Sequence, residues 1–213
     1  LSALHDTGCA TPRTGWTPHY VTAWQCGTLV GALPLYAKTH SYGEYVFDWG
    51  WAEAYRRHGR AYYPKLVAAI PSTPVTGPRL LATDAAVRHA LLAHAVDLVR
   101  SSEFSSLHVL FLPEAELRDA RDLPLVARTG VQFHWVNEGY RDFTDFLAAF
   151  SHDKRKKVKQ ERRRLAAAGV TFERRSGREI TADDWTFFHR CYTATYRAHH
   201  STPYLTAAFF ARL

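Results

Sequence analysis

HYVTAWQCGTLVGALPLYAK, residues 19–38, is the segment that sets the architecture. Residues 19–25 and 28–38 each have the length and the Val-, Thr- and Tyr-containing character of a strand. Cys26-Gly27 between them has the two-residue length of a tight hairpin turn. Pro34 interrupts the second strand. With no N–H to donate, it sits at a sheet edge or splays the ladder locally.

Outward from the hairpin, strands and helices interleave. Residues 1–9 read as the tail of a helix. After the hairpin come a short helix over 51–58 that stops at Gly59, and a strand over 63–70 closed by Pro71 and Pro74. Thr83 is the expected N-cap of an amphipathic helix to residue 100, with Val87, Leu91, Val96 and Leu98 among its apolar positions. LHVLFL (107–112) has the length of a buried strand, and Pro113 opens a short acidic helix, where its missing N–H costs nothing. A strand is expected over 131–136, a helix capped by Asp142 to residue 150, a basic helix from Ser151 to the Gly169 stop, and a strand over 170–173. Thr181 to Asp184 is a capping box. The helix after it carries Trp185, Phe188, Tyr192 and Tyr196 at helical spacing, Pro203 ends it, and a last helix starts near Tyr204. This order predicts an α/β (α+β) fold with a mixed sheet flanked by helices. The expected division is a first domain over 1–141, connecting helices over 142–169 and the opening of a second domain over 170–213.

At 213 residues, 46% hydrophobic and 22% charged, the chain is long and apolar enough to bury a core, which excludes a disordered tail. It contains no Met, opens at Leu1 and stops within the apolar run 207–213, so it is expected to be a fragment of a larger protein. Cys9, Cys26 and Cys191 are odd in number and form no CxxC pair, which argues for a reducing compartment and against a disulfide scaffold or zinc ribbon. No apolar stretch approaches the ~20 residues of a membrane helix. With no signal-peptide pattern, the expected compartment is the cytoplasm.

The net charge is +7, and residues 154–164 account for it, with eight Lys or Arg against the single acid Glu161. Arg155, Lys159 and Arg162 share one helical face, as do Lys156 and Arg163, while Val158, Leu165 and Ala168 make a narrow apolar stripe. Such a helix presents fixed cations to a diphosphate, a tRNA backbone or an acidic lipid head group. The alternative is a solvated charged face.

HSYGEYVFDWGW (40–51) concentrates polar and aromatic side chains around two glycines. An amine that attacks a carbonyl must lose a proton, and Glu44, Asp48 or His40 are the candidate acceptors. Tyr42, Tyr45, Trp49 and Trp51 are the candidate substrate-binding rings, and Lys38 joins them. The alternative is an aromatic loop packed on the sheet. His89 and His94 are five apart, off one helical face, and HExxH is absent, so no metal site is expected. No GxSxG nucleophile motif occurs. His199 and His200 end a helix, where imidazolium suits the dipole.

GALPLYAK (31–38), HSYGEYVFDWGWAEAYRRHG (40–59), YYPKL (62–66), TPVTGPRLL (73–81), HDKRKKVKQERRRLAAAGV (152–170) and PYLTAAFF (203–210) resemble the FemAB-like family of peptidoglycan biosynthesis and recognition proteins. That family lies within the GNAT-like acyltransferase superfamily, with two such domains in tandem. The resemblance implies a GNAT-like sheet, a truncated second unit, and acyl or aminoacyl transfer to an amine acceptor in cell-wall precursor modification. It implies acyl-CoA or aminoacyl-tRNA as donor, and a phosphorylated small molecule, a cell-wall precursor, tRNA or the remainder of the same chain as partners. The fragment alone is expected to be inactive. One departure stands out. The Arg/Gln-x-x-Gly-x-Gly/Ala turn that holds pyrophosphate in the superfamily does not occur here, so the donor is not coenzyme A or its site lies elsewhere. The contrasting class is a non-catalytic module that recognises RNA or a peptidoglycan precursor.

Overall fold

A computed structural model describes residues 1–213. The chain forms two compact units, Leu1–Val126 together with Thr181–Leu213, and Ala127–Ile180.

In the first unit the elements run α1 (Ser2–Asp6), β1 (Trp16–Pro18), β2 (Val21–Gln25), β3 (Thr28–Leu33), β4 (Leu35–Lys38), α2 (Trp49–Arg57), β5 (Lys65–Ala68), α3 (Ala85–Arg100), β6 (Leu107–Val109) and α4 (Glu114–Asp119). Cys26 and Gly27 both have positive φ, 48° and 78°, which closes the β2–β3 hairpin with a twist that suits the strands. Pro34 divides what the sequence reads as one strand. The chain before it pairs in the hairpin and, at Ala32, bridges Leu81, and the chain after it enters a second sheet ordered β1-β4-β5-β6. In that sheet β1–β4 and β4–β5 are antiparallel and β5–β6 is parallel, so the fold is mixed α/β.

Side chains alternate across the sheet and define two cores. Leu35, Leu66 and Ala68 face a cluster with Leu33, Leu80, Leu91, Leu92 and Ala95, where α3 packs. Tyr36, Val67 and Ala69 face the other side, against Leu4, Cys9, Ala10, Trp16 and Leu110. Lys38 and Lys65 share the parity of Tyr36 and Val67, so both lysines point into the second core. The helix N-cap expected at Thr83 falls one residue later. Asp84 is the cap, its Oδ1 accepting the Ala86 amide at 2.7 Å, because carboxylate and backbone line up only from that position. The strand expected over 63–70 shortens to β5, which begins just after Pro64, a residue with no amide to add to the ladder.

The second unit holds α5 (Phe143–Ala148) and α6 (His152–Ala167). Asp142 caps α5 as expected, accepting from Thr144 and Asp145 amides at 2.7 and 2.9 Å. The strands expected over 131–136 and 170–173 do not form. Alternation makes a strand only where a neighbour supplies ladder hydrogen bonds, and here Val131, Phe133, Trp135 and Phe172 stay exposed. The chain then returns to the first unit through α7 (Ala182–Ala198) and α8 (Ala207–Phe210). The Thr181 capping box forms, and Trp185, Phe188 and Tyr192 gather around the buried Phe210 ring at centroid distances of 5.9, 5.1 and 5.4 Å. Helix α7 stops at Ala198, five residues before the Pro203 expected to end it.

Candidate active site

The register of the mixed sheet lines up three side chains. Trp16 pairs with Lys38 across β1–β4, and Lys38 pairs with Lys65 across β4–β5. Both lysines are 0% exposed. Two ammonium groups directly opposite each other repel, and each loses its hydration in the core, so each must find an anionic partner or give up its proton more readily.

The loop between β4 and α2 supplies the anions. Lys65 Nζ donates to Glu44 Oε2 at 2.8 Å, to Ser41 Oγ at 3.0 Å and to Asp48 Oδ2. Tyr62 OH donates to the same Asp48 oxygen at 2.6 Å, and Ser41 Oγ and Tyr63 OH lie 2.7 Å apart. Lys65 thus has three oxygen partners for its three protons. Lys38 has no carboxylate in contact. Its Nζ donates to the Tyr42 carbonyl at 3.2 Å and lies 3.7 Å from the centre of the Trp16 ring.

This asymmetry separates the proton affinities. Burial, with the Lys65 charge adding to it, pulls Lys38 down to about 7, although Glu44 opposes the shift. Burial also raises Glu44 above the ordinary carboxylate value, against the attraction of Lys65. For Asp48 burial acts upward but is outweighed by hydrogen bonds from Lys65, Ser41 and Tyr62, which bring it to about 2. Burial and then the Asp48 contact push the Tyr62 phenol up. Titratable groups driven apart in this way are the usual arrangement of acid–base sites. Glu44 Oε1 and Asp48 Oδ1 are buried without a hydrogen-bond partner.

The loop reaches this geometry at a conformational cost. Gly43, Tyr45 and Phe47 take φ of 81°, 60° and 50°, left-handed values at alternate positions that non-glycine residues disfavour. The result turns Glu44 and Asp48 inward and leaves Tyr42 and Phe47 exposed. Gly43 is also needed for space, since a Cβ there would stand 3.1 Å from Ser72 Oγ and 3.3 Å from the Trp16 ring.

A cavity of about 320 Å³ lies beside the loop, lined by Cys9, Thr14, Trp16, His40, Tyr42 and residues 200–204. His40 Nδ1 accepts the Tyr42 amide at 3.2 Å, and a Cβ on Gly15 would collide with His40 Nε2 at 2.2 Å, so the ring is held from both sides. Burial and the Lys38 charge lower the His40 pKa. Trp16 and Tyr42 line the cavity and also contact Lys38, so Lys38 stands directly behind the cavity wall.

Of the residues singled out in the sequence, Lys38, Glu44 and Asp48 meet in the buried cluster, and His40 and Tyr42 line the cavity. Tyr45 packs on Tyr204 at 5.9 Å, Trp49 on Tyr42 at 5.0 Å, and Trp51 is exposed on α2. Lys65, Ser41, Tyr62 and Trp16 were not foreseen. A lysine at the head of the apolar run KLVAAI was the available signal for the first of these.

The cationic residues belong to the other unit. Arg155 donates to the Phe150 and Ala148 carbonyls at 2.9 and 3.3 Å, closing the end of α5. Arg162 lies 4.3 Å over the Phe143 ring. Lys156, Lys159 and Arg163 are exposed.

A family model described as peptidoglycan biosynthesis/recognition matches residues 1–213. The chain belongs to the FemAB-like family. No curated protein and no solved structure matches it. Residues 40–59 are the loop and helix that carry Glu44 and Asp48, and YYPKL carries the Tyr62 and Lys65 that bind them. No helix in this FemAB-like chain is long and apolar enough to cross a membrane.

Proposed function

We propose that this FemAB-like chain takes part in acyl or aminoacyl transfer to an amine acceptor, in the modification of a cell-wall precursor in the cytoplasm. The observation that carries the proposal is the presence, around one buried ion pair, of Glu44, raised by burial and with one free oxygen, and of Lys38, a buried lysine pulled down to about 7. Lys38 sits behind a cavity of the size of a small-ligand site, and Glu44 is bound to the lysine opposite it.

The acceptor amine attacks the carbonyl carbon of the donor, a C–N bond forms, and the bond from that carbon to the leaving oxygen or sulfur breaks. The amine nitrogen must shed one proton in this step. Glu44 Oε1 takes it and returns it to the departing oxygen or sulfur, and the neutral form of Lys38 is the second base of the site. Asp48, held low by its three donors, stays ionised and with Lys65 fixes the position of Glu44. The left-handed loop residues 43, 45 and 47 are the hinge that admits the amine to Glu44. His40, Tyr42, Tyr45, Trp49 and Trp51 shape the acceptor site, an acyl thioester or aminoacyl ester is the donor, and Arg155, Lys156, Lys159, Arg162 and Arg163 attract phosphate-bearing substrate.

Glu44→Gln keeps the size and one acceptor of Glu44 but removes its basicity. In a transfer assay with the full-length protein, kcat is expected to fall about 10²- to 10³-fold with KM little changed. Unchanged kcat in a folded Glu44→Gln protein would reject the assignment.

A second reading is a non-catalytic module that recognises a peptidoglycan precursor or RNA. The near-complete enclosure of Glu44 and Lys38, at 2% and 0% exposure, favours it, because a purely structural charge cluster would be enclosed in the same way. Precursor binding without turnover, insensitive to Glu44→Gln, is its signature.

A further inference from the structure

We propose that the second unit, residues 127–180, is a docking surface for an anionic phospholipid bilayer. The inference is independent of the chemistry at Glu44 and Lys38, and it gives the exposed cations of α6 a lipid partner.

Three observations within that unit lead to it. The first is uncompensated charge. Lys156, Lys159 and Arg163 recur at positions i, i+3 and i+7 of α6, on one helical face, all exposed and none in an ion pair, and no residue of α6 is buried. The second is apolar exposure. Val131, Phe133 and Trp135 recur at every second position of a segment outside helices and strands, at 84%, 97% and 67% exposure, and Phe172 is 84% exposed. Soluble surfaces scatter such side chains singly, and a concentration of them marks a protein or membrane contact. The third is a cup of about 380 Å³ lined by Trp135, Tyr140, Phe143 and Phe146, with Asn137 and Asp142 at its edge. Arg162 packs on Phe143 at 4.3 Å, and Phe143 and Trp135 both touch Phe146, at 5.8 Å each, so the cationic helix and the aromatic cup are one continuous surface.

The chemistry selects lipid over nucleic acid. Most polar atoms at the cup's edge are already used. Asn137 Oδ1 accepts the Gly139 and Tyr140 amides, its Nδ2 donates to the Tyr140 carbonyl, and Asp142 Oδ1 caps α5. What remains there is mainly the second Asp142 oxygen, an anionic acceptor that repels a nucleic-acid phosphate backbone. Val131 and Val136 gain from hydrocarbon and have no ring to stack on a base. Cations over aromatic and aliphatic side chains are the composition of a peripheral membrane contact, and no spanning helix accompanies it.

The test is vesicle co-sedimentation of the full chain, comparing phosphatidylcholine vesicles containing phosphatidylglycerol with phosphatidylcholine alone. Binding is expected only to the anionic vesicles and is expected to weaken as salt rises. Lys156→Glu/Lys159→Glu/Arg163→Glu should weaken it about 100-fold or more. Phe133→Ser/Trp135→Ser should weaken it about tenfold while leaving the salt dependence unchanged. These positions are exposed, so unchanged far-UV circular dichroism is expected for both variants. Equal binding to neutral vesicles overturns the proposal, as does full competition by inorganic pyrophosphate, which would indicate a free-phosphate site. Binding of poly(U) that ignores the Phe133/Trp135 change, without vesicle binding, overturns it in favour of RNA. Self-association removed by Phe133→Ser/Trp135→Ser, again without vesicle binding, overturns it in favour of a second copy of the chain.

Discussion

Lys38 and Lys65 stand directly opposite each other across β4 and β5, on the same face and fully buried, yet only Lys65 is given counter-charges. A sheet built for stability alone would place two apolar residues at this pair. Here one lysine organises Glu44, Asp48, Ser41 and the strained loop, and the other is left with a carbonyl and an indole face. The consequences for stability and titration are unequal, and each can be measured.

Lys65→Met retains the length of the stem and removes the charge. Glu44 and Asp48 then face each other in the core with no cation between them, and breaking one side of a buried pair costs about 3–5 kcal/mol. The expected result in urea unfolding is a loss of that order. Adding Glu44→Gln and Asp48→Asn to the same chain should restore much of it, because the uncompensated charges go too. A loss that the triple variant fails to reduce would mean that Lys65 contributes by packing.

Tyr62→Phe removes the 2.6 Å bond to Asp48 and leaves the buried ring. A hydrogen bond to a charged acceptor contributes about 1.5–3 kcal/mol, so a loss in that range is expected. Asp48 is held at about 2, below its ordinary 3.8. Its stabilising contribution is therefore fully present above about 3.8 and is lost as pH falls through about 2. With Tyr62→Phe the folded carboxyl titrates higher, so acid unfolding starts at a higher pH. NMR titration of the Asp48 carboxyl reads the shift directly.

Gly43→Ala tests the loop. The new methyl meets Ser72 Oγ and the Trp16 ring at 3.1 and 3.3 Å, and φ of 81° is disfavoured for alanine. Left-handed backbone alone costs about 1–2 kcal/mol, so the loss should exceed about 1 kcal/mol. If Glu44 acts through this loop, kcat falls with it. Unchanged stability and kcat would show that the loop shifts freely.

The hairpin, the division at Pro34, the α5 cap and the α7 capping box were all readable in the sequence, because each is set by residues within a few positions of one another. So was the concentration of acids and rings in 40–51. What could not be read was which of them meet. The Lys38–Lys65 register depends on pairing between strands 27 positions apart in the chain, and no local pattern encodes it. YYPKL reads as the start of an apolar strand, and the lysine in it looks like an edge charge until its partners come from residues 41–48. The alternation over 131–136 misled for the opposite reason. A local pattern was present and the neighbouring strand was not.

Lys38 gives the sharpest pH signature. Its folded value is about 7 and its ordinary value 10.5. Between these limits the unfolded chain holds a proton there that the folded chain has released, so stability rises with pH across that window. Glu44 is shifted the other way and acts from its ordinary value upward, where the folded chain holds the extra proton and stability falls as pH rises. Subtracting the curve of Lys38→Met isolates the lysine. The difference in unfolding free energy, wild type minus variant, should increase steadily from about pH 7 toward about 10. Near neutral pH the variant should be as stable as the wild type or more so, since replacing a buried, poorly compensated charge by an isosteric apolar chain is neutral or stabilising by about 1–4 kcal/mol. A flat difference curve would mean that Lys38 keeps its proton when folded and cannot be the second base of the site. Loss of transfer activity in Lys38→Met with stability retained would instead give the lysine the role that its burial alone cannot explain.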